Sequence, residues 1–276
     1  MKVSIGIDCG SRTIKMVVIN IMNYQIIDSS VTENGLFPLK IINDQFNKIL
    51  LNNKLEIDNI VCIAGTGYGR NSIVLENLES VKESGIICHI FSEISCHAKG
   101  THQLLPFCPT IIDIGGQDSK IINISNQGKV LDFIMNDKCA AGTGRFLEKL
   151  AQILNMNIDD LDCLAVKHNK VVSISSTCVV FAESEIIGLL AKEEKAENII
   201  YSIYQSIARR IVSQAGSVSV CKPIAFVGGV AHHHSIKTIF SELFSSEVFS
   251  PENPSITGAL GAAILAIEQY KKQVEK

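Results

Sequence analysis

The sequence has no excess of charge of either sign. Its 25 lysine and arginine residues stand against 28 aspartate and glutamate residues, so the formal net charge is −3 over 276 residues. Nucleic acids and anionic membrane surfaces attract proteins that carry clustered positive charge. The composition therefore predicts a protein that binds neither of them.

Long apolar runs are also missing. The apolar start of the chain is interrupted at Asp8, before it reaches the roughly 7–15 apolar residues of a secretory signal. No segment approaches the roughly 18 uninterrupted apolar residues of a membrane helix, and the nearest, Ala259–Ile267, is short and precedes Glu268. We therefore expect a soluble, cytoplasmic protein.

Close-spaced cysteine pairs are a third absence. The chain has nine cysteines, but none is arranged as CxxC and no export signal precedes them, so a disulfide framework is not expected. Most of these cysteines should be small buried hydrophobic residues. This structural role is predicted for Cys9, Cys62, Cys88, Cys96, Cys108, Cys163 and Cys221.

The sequence does contain one order of strands twice. Apolar runs separated by turn residues predict an antiparallel meander over Val3–Ile7, Thr13–Ile21 and Gln25–Ser30. A strand over Thr110–Ile114 begins the same order again, about a hundred residues later. A coarse repeat of this kind indicates two related α/β domains rather than a solenoid. Helices are predicted over Ile41–Leu51, Gly144–Leu154, Val179–Ala191, Glu197–Val220, Ser235–Leu243 and Ile256–Lys272.

The domain boundary is predicted near Pro106–Pro109, which gives domains of residues 1–108 and 109–276. The second domain then contains the predicted helices from Gly144 to Leu243. Its last helix, at about 256–272, either stays in the second domain or crosses back to the first.

An acidic turn ends the first strand, in the segment GIDCGSRTIK over residues 6–15. A hairpin of this composition can direct backbone N–H groups, hydroxyl groups and an ammonium group toward phosphate oxygens, while Asp8 holds magnesium or its water ligand. Taken alone, an ordinary Asp-x-Gly hairpin is the simpler interpretation. The predicted nucleotide contacts are Gly10, Ser11, Arg12, Thr13, Ile14 and Lys15.

A second acidic turn, DIGGQD over residues 113–118, stands at the equivalent place of the second domain. Two such hairpins are what a nucleotide bound in a cleft between two related domains requires. Neither is a Walker A loop or a dinucleotide fingerprint. The predicted catalytic residues are Asp8, Asp113 and Gln117, and the nucleotide contacts gain Gly115, Gly116 and Gln117.

A third element is FVGGVA over residues 226–231, a strand that runs into Gly228 and Gly229. Without side chains, the backbone there can approach a base or ribose closely. With these three elements in order, the chain resembles the actin-like ATPase superfamily, which includes sugar kinases and heat-shock chaperone ATPases. The resemblance implies two ribonuclease-H-like domains that close on MgATP, and it indicates the fold better than the function.

Two further segments each centre on a cysteine, NDKCAAGTGRFLE around Cys139 and SSTCVVFAESE around Cys178. Each cysteine follows polar residues and precedes a helical pattern, so each thiolate can lie near a helix N-terminus, where the dipole favours negative charge. Two cysteines at helix starts can also arise by chance. One chain offers two ligands where a cubane cluster needs about four, and a two-fold dimer would supply the other two.

Together with GTGYGRN, EISCHAKG, DIGGQDSK and GGVA, these segments resemble the ATP-dependent activators of 2-hydroxyacyl-CoA dehydratases, in the family that includes the ATPase subunits of benzoyl-CoA reductase. The resemblance implies a homodimer with one [4Fe–4S] cluster held by Cys139 and Cys178 of each subunit. It adds Gly142, Thr143 and Gly144 to the nucleotide contacts. One electron would come from ferredoxin or flavodoxin and, with hydrolysis of ATP to ADP, would pass to a dehydratase or a related CoA-ester reductase.

Two places depart from the family pattern. Arg12 stands where a small hydroxyl residue is common, and His232–His234 follow the GGVA segment. We expect these histidines to be exposed polar residues before a helix, with a three-histidine metal site as the alternative. For the whole protein, the alternatives are a small-molecule kinase such as a sugar kinase, which leaves the two cysteines unexplained, and an actin-like structural protein.

Overall fold

The computed structural model describes residues 1–72, 78, 81–82, 84–174 and 178–274. Three residues of the segment around Cys178, at positions 175–177, lie outside the described residues. The described strands are β1 (Val3–Cys9), β2 (Thr13–Asn20), β3 (Ile26–Glu33), β4 (Ile60–Thr66), β5 (Ile87–Ile90), β6 (Thr110–Ile114), β7 (Ser119–Ile124), β8 (Val130–Asn136), β9 (Ile224–Val227) and β10 (Val248–Phe249). The α-helices are α1 (Pro38–Asn52), α2 (Glu93–Leu104), α3 (Gly144–Leu154), α4 (Leu161–Ala165), α5 (Val179–Leu190), α6 (Ala196–Ala215), α7 (His234–Phe244) and α8 (Thr257–Val274).

The chain divides into two compact units. The first consists of Met1–Pro106, Ile124–Val130 and Ser255–Lys276, and the second of Phe107–Asn123 and Leu131–Pro254. Helix α8, at the far end of the sequence, therefore belongs to the first unit.

The two five-stranded sheets have the same strand order. The first runs β3-β2-β1-β4-β5, and the second, written from the corresponding edge, runs β8-β7-β6-β9-β10. In each, the central strand is antiparallel to the strand after it and parallel to the next one along the sheet, β4 for β1 and β9 for β6. The antiparallel meander and the internal repeat predicted from the sequence are thus confirmed.

Apolar layers cover both faces of the first sheet. Alternate residues of β1, among them Ile5, pack with Phe46 of α1, while β4 contributes Ala64 to a second cluster with Leu260 of α8. Strand β1 is buried along its whole length, including the polar residues Ser4 and Asp8, as expected for a strand in the middle of a sheet that is covered on both faces. In the second unit, one large core joins β6 and β9 to α3, α6 and α7.

Helix α8 lies in unusually close contact with β1 and α2. A Cβ atom on Gly6 would collide with the carbonyl of Ala259, and one on Gly261 would collide with the carbonyl of Cys96. Small residues at these positions let the backbones touch. This contact sets the first turn of α8, which contains Gly258, beside the end of β1.

The predicted helices are present, but one of them ends earlier than predicted, and the short helix α4 and the longer helix α2 were not predicted. Helix α6 ends at Ala215 rather than at Val220, because Gly216 and Ser217 are poor helix formers that follow its last buried turn. Helix α2 was not predicted, since its His, Ser, Gly and Thr residues have weak helix propensity and its contact with α8 stabilises it instead. Within the described part of the chain, no helix has the length and apolar character that crossing a membrane requires.

Candidate functional site

The first acidic hairpin joins β1 and β2. Buried Asp8 lies opposite Lys15 in the antiparallel register, and Oδ2 of Asp8 is 3.3 Å from Nζ of Lys15. The N–H of Gly10 donates to the carbonyl of Thr13 over 3.0 Å, which closes the turn. The side-chain amide of Asn34 donates to the Gly10 carbonyl over 2.7 Å. The conformation of the turn is therefore stabilised by hydrogen bonds within the protein.

The second acidic hairpin joins β6 and β7 and places two carboxylates beside one lysine. Nζ of Lys120 lies 3.1 Å from Oδ2 of Asp113 and 2.9 Å from Oδ1 of Asp118. The N–H of Gly115 donates to the carbonyl of Asp118 over 2.9 Å. With both carboxylates ionised, the group has one surplus negative charge, which suits a hydrated divalent cation such as Mg²⁺.

A glycine in the left-handed region of backbone space faces each aspartate. Gly67 (φ +93°) follows β4, and Gly228 (φ +88°) follows β9. A Cβ atom on Gly67 would collide with Oδ1 of Asp8, and one on Gly228 with Oδ1 of Asp113. Glycine avoids both the strained conformation and the collision. Each unit therefore builds the same arrangement of aspartate, lysine and glycine.

Gly229, the next residue, has no such neighbours. It is exposed at the start of a short 3₁₀ helix, Gly229–His232, and an added Cβ atom would have nothing within 4 Å among the described residues. Packing of the described residues does not require a glycine here. The open space is available to a ligand.

The second hairpin contacts the start of α3 directly. The N–H of Gly144 donates to the carbonyl of Gly115, and the N–H of Arg145 donates to the carbonyl of Gly116, both over 2.9 Å. These two bonds connect the predicted phosphate-binding turn to the segment that begins at Cys139. A ligand that moved the turn would therefore also move the start of α3.

Cys139 lies at the start of the 3₁₀ helix Ala140–Gly142 and is half-buried. Its Sγ accepts a hydrogen bond from Nη2 of Arg210 over 3.1 Å. Its carbonyl accepts a second bond from the side-chain amide of Asn136 over 3.1 Å. The sulfur is thus oriented by its own backbone and faces a positive charge.

Cys178 directly precedes α5 and is exposed. Its carbonyl accepts bonds from the N–H groups of Phe181 and Ala182, over 3.1 and 2.9 Å, which begin the helix. The neighbouring Val180 and Phe181 are 69% and 70% exposed. An exposed thiol is therefore followed along the chain by two exposed apolar side chains, which are of the kind found at protein interfaces.

The other predicted contacts lie in different environments. The side chain of Ile14 is in the core, so only its backbone can meet a ligand, whereas Gln117 is exposed on the second turn. An added Cβ atom on Gly142 would be 3.3 Å from Cδ of Arg210. Thr143 is buried, and its hydroxyl donates to the carbonyl of Ala140 over 2.9 Å. In the predicted trio 142–144, the direct bond to the second hairpin comes from residue 144.

Three residues near the first hairpin, Gly67, Gly258 and His97, had no role predicted from the sequence. Besides Gly67, an added Cβ atom on Gly258 would lie 2.9 Å from Oδ2 of Asp8 and 3.1 Å from Nε2 of His97. Gly67 and His97 belong to the segments GTGYGRN and EISCHAKG, which supported the family resemblance. The internal repeat contained a usable signal for Gly67, because it follows β4 as Gly228 follows β9.

The expectation that His232–His234 are all exposed is wrong for His233, which is 7% exposed. Its Nδ1 is 2.7 Å from the hydroxyl of Tyr204 on α6. Burial lowers the pKa of His233 to about 4, against a smaller opposing effect of Asp162, and it raises the pKa of Tyr204. In the described part of the chain, no group of three or more His, Cys, Asp or Glu side chains could hold a metal ion, so the three-histidine site is not supported.

All nine cysteines are free thiols. Cys163, on α4, and Cys221, before β9, are exposed. The predicted burial is therefore wrong for these two cysteines. Burial raises the pKa of Cys9 to about 11 and that of Cys96 to about 12. The buried members of the structural set are Cys9, Cys62, Cys96 and Cys108, and Cys88 is half-buried.

Comparison with known proteins gives a match to the BadF/BadG/BcrA/BcrD ATPase family over residues 5–266. The chain is 37% identical to the 2-hydroxyisocaproyl-CoA dehydratase activator of Clostridioides difficile, over 98% of this chain and 96% of that protein. It is 38% identical to the (R)-2-hydroxyglutaryl-CoA dehydratase activating ATPase of Acidaminococcus fermentans, over 98% of this chain and 97% of that protein.

Solved structures of the same kind of protein also match. Component A of the (R)-2-hydroxyglutaryl-CoA dehydratase of Acidaminococcus fermentans has a TM-score of 0.88 and 36% identity, covering 98% of this chain and 100% of that one. The activator of the 2-hydroxyisocaproyl-CoA dehydratase from Clostridium difficile, with bound ADPNP, has a TM-score of 0.88 and 35% identity, covering 99% and 97%. The matches confirm the predicted family resemblance and the fold class, two ribonuclease-H-like α/β domains of the actin-like ATPase superfamily.

Proposed function

Because this chain belongs to the BadF/BadG/BcrA/BcrD ATPase family, we propose that it is the ATP-dependent activator of a 2-hydroxyacyl-CoA dehydratase or of a related iron–sulfur CoA-ester reductase. The observation that carries this proposal is the pair of bonds from Gly144 and Arg145 to the second hairpin. They join a turn suited to phosphate and Mg²⁺ to the segment that begins at Cys139. A sugar kinase has no need of such a connection.

The nucleotide part of the proposal assigns MgATP contacts to both hairpins. Lys15 supplies an ammonium group to phosphate oxygens, and the carboxylates of Asp8 and Asp113 hold Mg²⁺ through its water ligands. Gln117, exposed on the second turn, orients the attacking water. The open space at Gly229 receives the base or ribose.

The redox part assigns Cys139 and Cys178 to a [4Fe–4S] cluster, one per homodimer. Two thiols from each subunit complete the set of four that such a cluster needs. The exposed thiol of Cys178, followed along the chain by the exposed apolar side chains of Val180 and Phe181, suits a shared site at a two-fold axis. When bound, the cluster supplies one-electron redox chemistry. We assign the electron donor to the ferredoxin or flavodoxin class and the protein to the cytoplasm.

The chain's own residues connect the two parts. A nucleotide that pulls on Gly115 and Gly116 changes the position of the α3 N-terminus through the bonds to Gly144 and Arg145. The hydrogen bonding and solvent access around Cys139 change with it. These are the properties by which a protein adjusts the reduction potential of an iron–sulfur group.

Anaerobic purification with iron, sulfide and mass analysis tests the redox part. We expect a brown dimer with about two irons per chain. Cys178→Ser should abolish the cluster and electron delivery to a dehydratase, yet leave MgATP binding intact, while the matched variant Cys163→Ser, at another exposed cysteine, should keep the iron. Colourless protein that releases ADP only with a sugar would favour the kinase, and four irons per chain would exclude a shared site.

Calorimetric titration with MgATP tests the nucleotide part. Lys15→Ala should weaken binding by about 1.5–3 kcal/mol, because it removes a charged phosphate contact. Lys48→Ala, at an exposed lysine of α1, should bind MgATP as the wild type does. Equal affinities in the two variants would remove the first hairpin from the site.

A further inference from the structure

Arg210 is the residue on α6 that faces Cys139. Its Nη2 donates to Sγ of Cys139 over 3.1 Å, although 71 positions separate the two residues in the sequence. Hydrogen bonds from a charged donor are about twice as strong as those between neutral groups. The bond between Arg210 and Cys139 therefore depends on the packing of α6 against the segment that contains Cys139.

The protein makes room for this side chain. The nearest atom to an added Cβ atom on Gly142 would be Cδ of Arg210, at 3.3 Å, followed by Cδ1 of Ile211 at 3.7 Å. A larger residue at 142 would press on the aliphatic part of Arg210. The side-chain amide of Asn136 donates to the carbonyl of Cys139. Gly142 therefore leaves space for the aliphatic part of Arg210, and the bond from Asn136 holds the backbone of Cys139.

The charge of Arg210 has no carboxylate partner among the residues that the structure describes. Its Nε is buried and lacks a hydrogen-bond acceptor within the same part of the chain. A partly buried cation with an unpaired hydrogen-bond donor destabilises the folded protein unless an anion lies close enough to pair with it. Among the described residues, the hydrogen-bond acceptor that its side chain meets is Sγ of Cys139, a predicted iron ligand.

We propose that Arg210 is a positioning residue for the cluster: it holds Sγ of Cys139 in place and makes one-electron reduction of the bound cluster easier. This inference rests on the proposed function. A cluster with four thiolates is negatively charged, and it becomes more negative when the reductant gives up one electron to it. A guanidinium group beside one of its sulfurs stabilises the reduced form more than the oxidised form, because attraction grows with the charge.

Redox titration of the anaerobic dimer tests the inference. Arg210→Gln should lower the reduction potential by about 59 mV, which corresponds to a tenfold smaller equilibrium constant for a one-electron step. Arg210→Lys should restore part of this loss, because it keeps the charge but not the planar donor group. The matched control is Arg209→Gln, at the exposed neighbour on the same helix, which should leave the potential unchanged.

The potential, followed by the electron paramagnetic resonance signal of the reduced protein, is a readout that a merely structural role would not move. Circular dichroism and MgATP affinity show whether each variant is folded. If Arg210→Gln does not retain iron, the inference is tested on Arg210→Lys, whose reduction potential should lie below that of the wild type. An unchanged potential in iron-loaded variants would overturn this inference alone, whereas wild-type protein without iron would overturn the proposed function as well.

Discussion

The lysines of the two acidic hairpins differ in burial and in the number of carboxylates that they meet. The side chain of Lys120 is 3% exposed and pairs with Asp113 and Asp118. The side chain of Lys15 is 15% exposed and pairs with Asp8. Removing one member of a buried ion pair leaves a charge without compensation, so the second hairpin should depend more on its lysine.

Replacing these lysines by methionine should therefore have unequal effects on stability. Lys120→Met should lower the free energy of unfolding by about 3–5 kcal/mol, and Lys15→Met by less, because the Lys15 side chain is more exposed and pairs with one carboxylate instead of two. The measurement is the midpoint of urea denaturation without nucleotide, with Lys48→Met as the exposed control. Similar small losses in both variants would mean that the pair on the second hairpin does not stabilise the fold.

Adjacent glycines at the end of β9 should separate folding from binding. Gly228→Ala forces a Cβ atom against Asp113 in a left-handed conformation and should cost about 1–3 kcal/mol of stability. The added methyl group of Gly229→Ala meets no atom of the described residues, so we expect stability within about 0.5 kcal/mol of wild type but weaker MgATP binding. Denaturation and calorimetric titration distinguish the two. Unchanged nucleotide affinity in Gly229→Ala would exclude this glycine from the site.

At the scale of elements, the contact between α6 and the segment before α7 places a histidine where it is hard to protonate. His233 is buried against Tyr204, which lowers its pKa to about 4. The ordinary pKa is near 6.5, so between these values the unfolded chain binds more protons than the folded one. Stability contributed by neutral His233 is then present at neutral pH and is lost as the pH falls.

The loss from His233 should reach about 3 kcal/mol when the pH falls from about 7 to about 4. His233→Gln, which can still hydrogen-bond to Tyr204, should show a smaller drop in urea midpoint over this range. His234→Gln, at the exposed neighbour, should follow the wild type. A variant at 233 with the full acid sensitivity of the wild type would assign that sensitivity to other groups.

At the scale of the whole molecule, coupling requires that nucleotide bind two arrangements of the cluster site with different affinity, because a ligand without such a difference shifts nothing. The direct bonds between the second hairpin and α3 give the coupling a short route. Because these bonds lead to the segment that begins at Cys139, we expect nucleotide to change the accessibility of iron bound at Cys139.

Iron in the purified dimer should accordingly be removed by a chelator at a different rate with MgATP than without nucleotide, and faster if MgATP opens the site. A change of about fivefold or more corresponds to the lower end of typical coupling energies. Lys15→Ala should need more MgATP for the same effect. Rates that are equal without nucleotide, with ADP and with ATP would refute coupling, even with the cluster and the ATPase activity both established.

Several strands and helices of this protein can be predicted from the local pattern of apolar and polar residues in the sequence. Continuous apolar runs with acidic glycine turns predicted β1, β6 and the repeated meander, because burial on both faces of a sheet requires such runs. Helix α3 matches its predicted bounds, since its apolar residues recur at helical spacing on one face.

Other features depended on residues far apart in the chain. Helix α2 forms because α8, from the other end of the sequence, packs on it, and His233 is buried because Tyr204 lies beside it. The same holds for Gly258 beside Asp8 and for Arg210 beside Cys139. Spacing along a chain reports which residues share a face of one element, whereas long-range neighbours depend on how elements pack. The sequence by itself determined the repeated succession of strands along the chain, the acidic turns and the two candidate cysteines, and only the tertiary structure decided which cations, glycines and histidines lie near them.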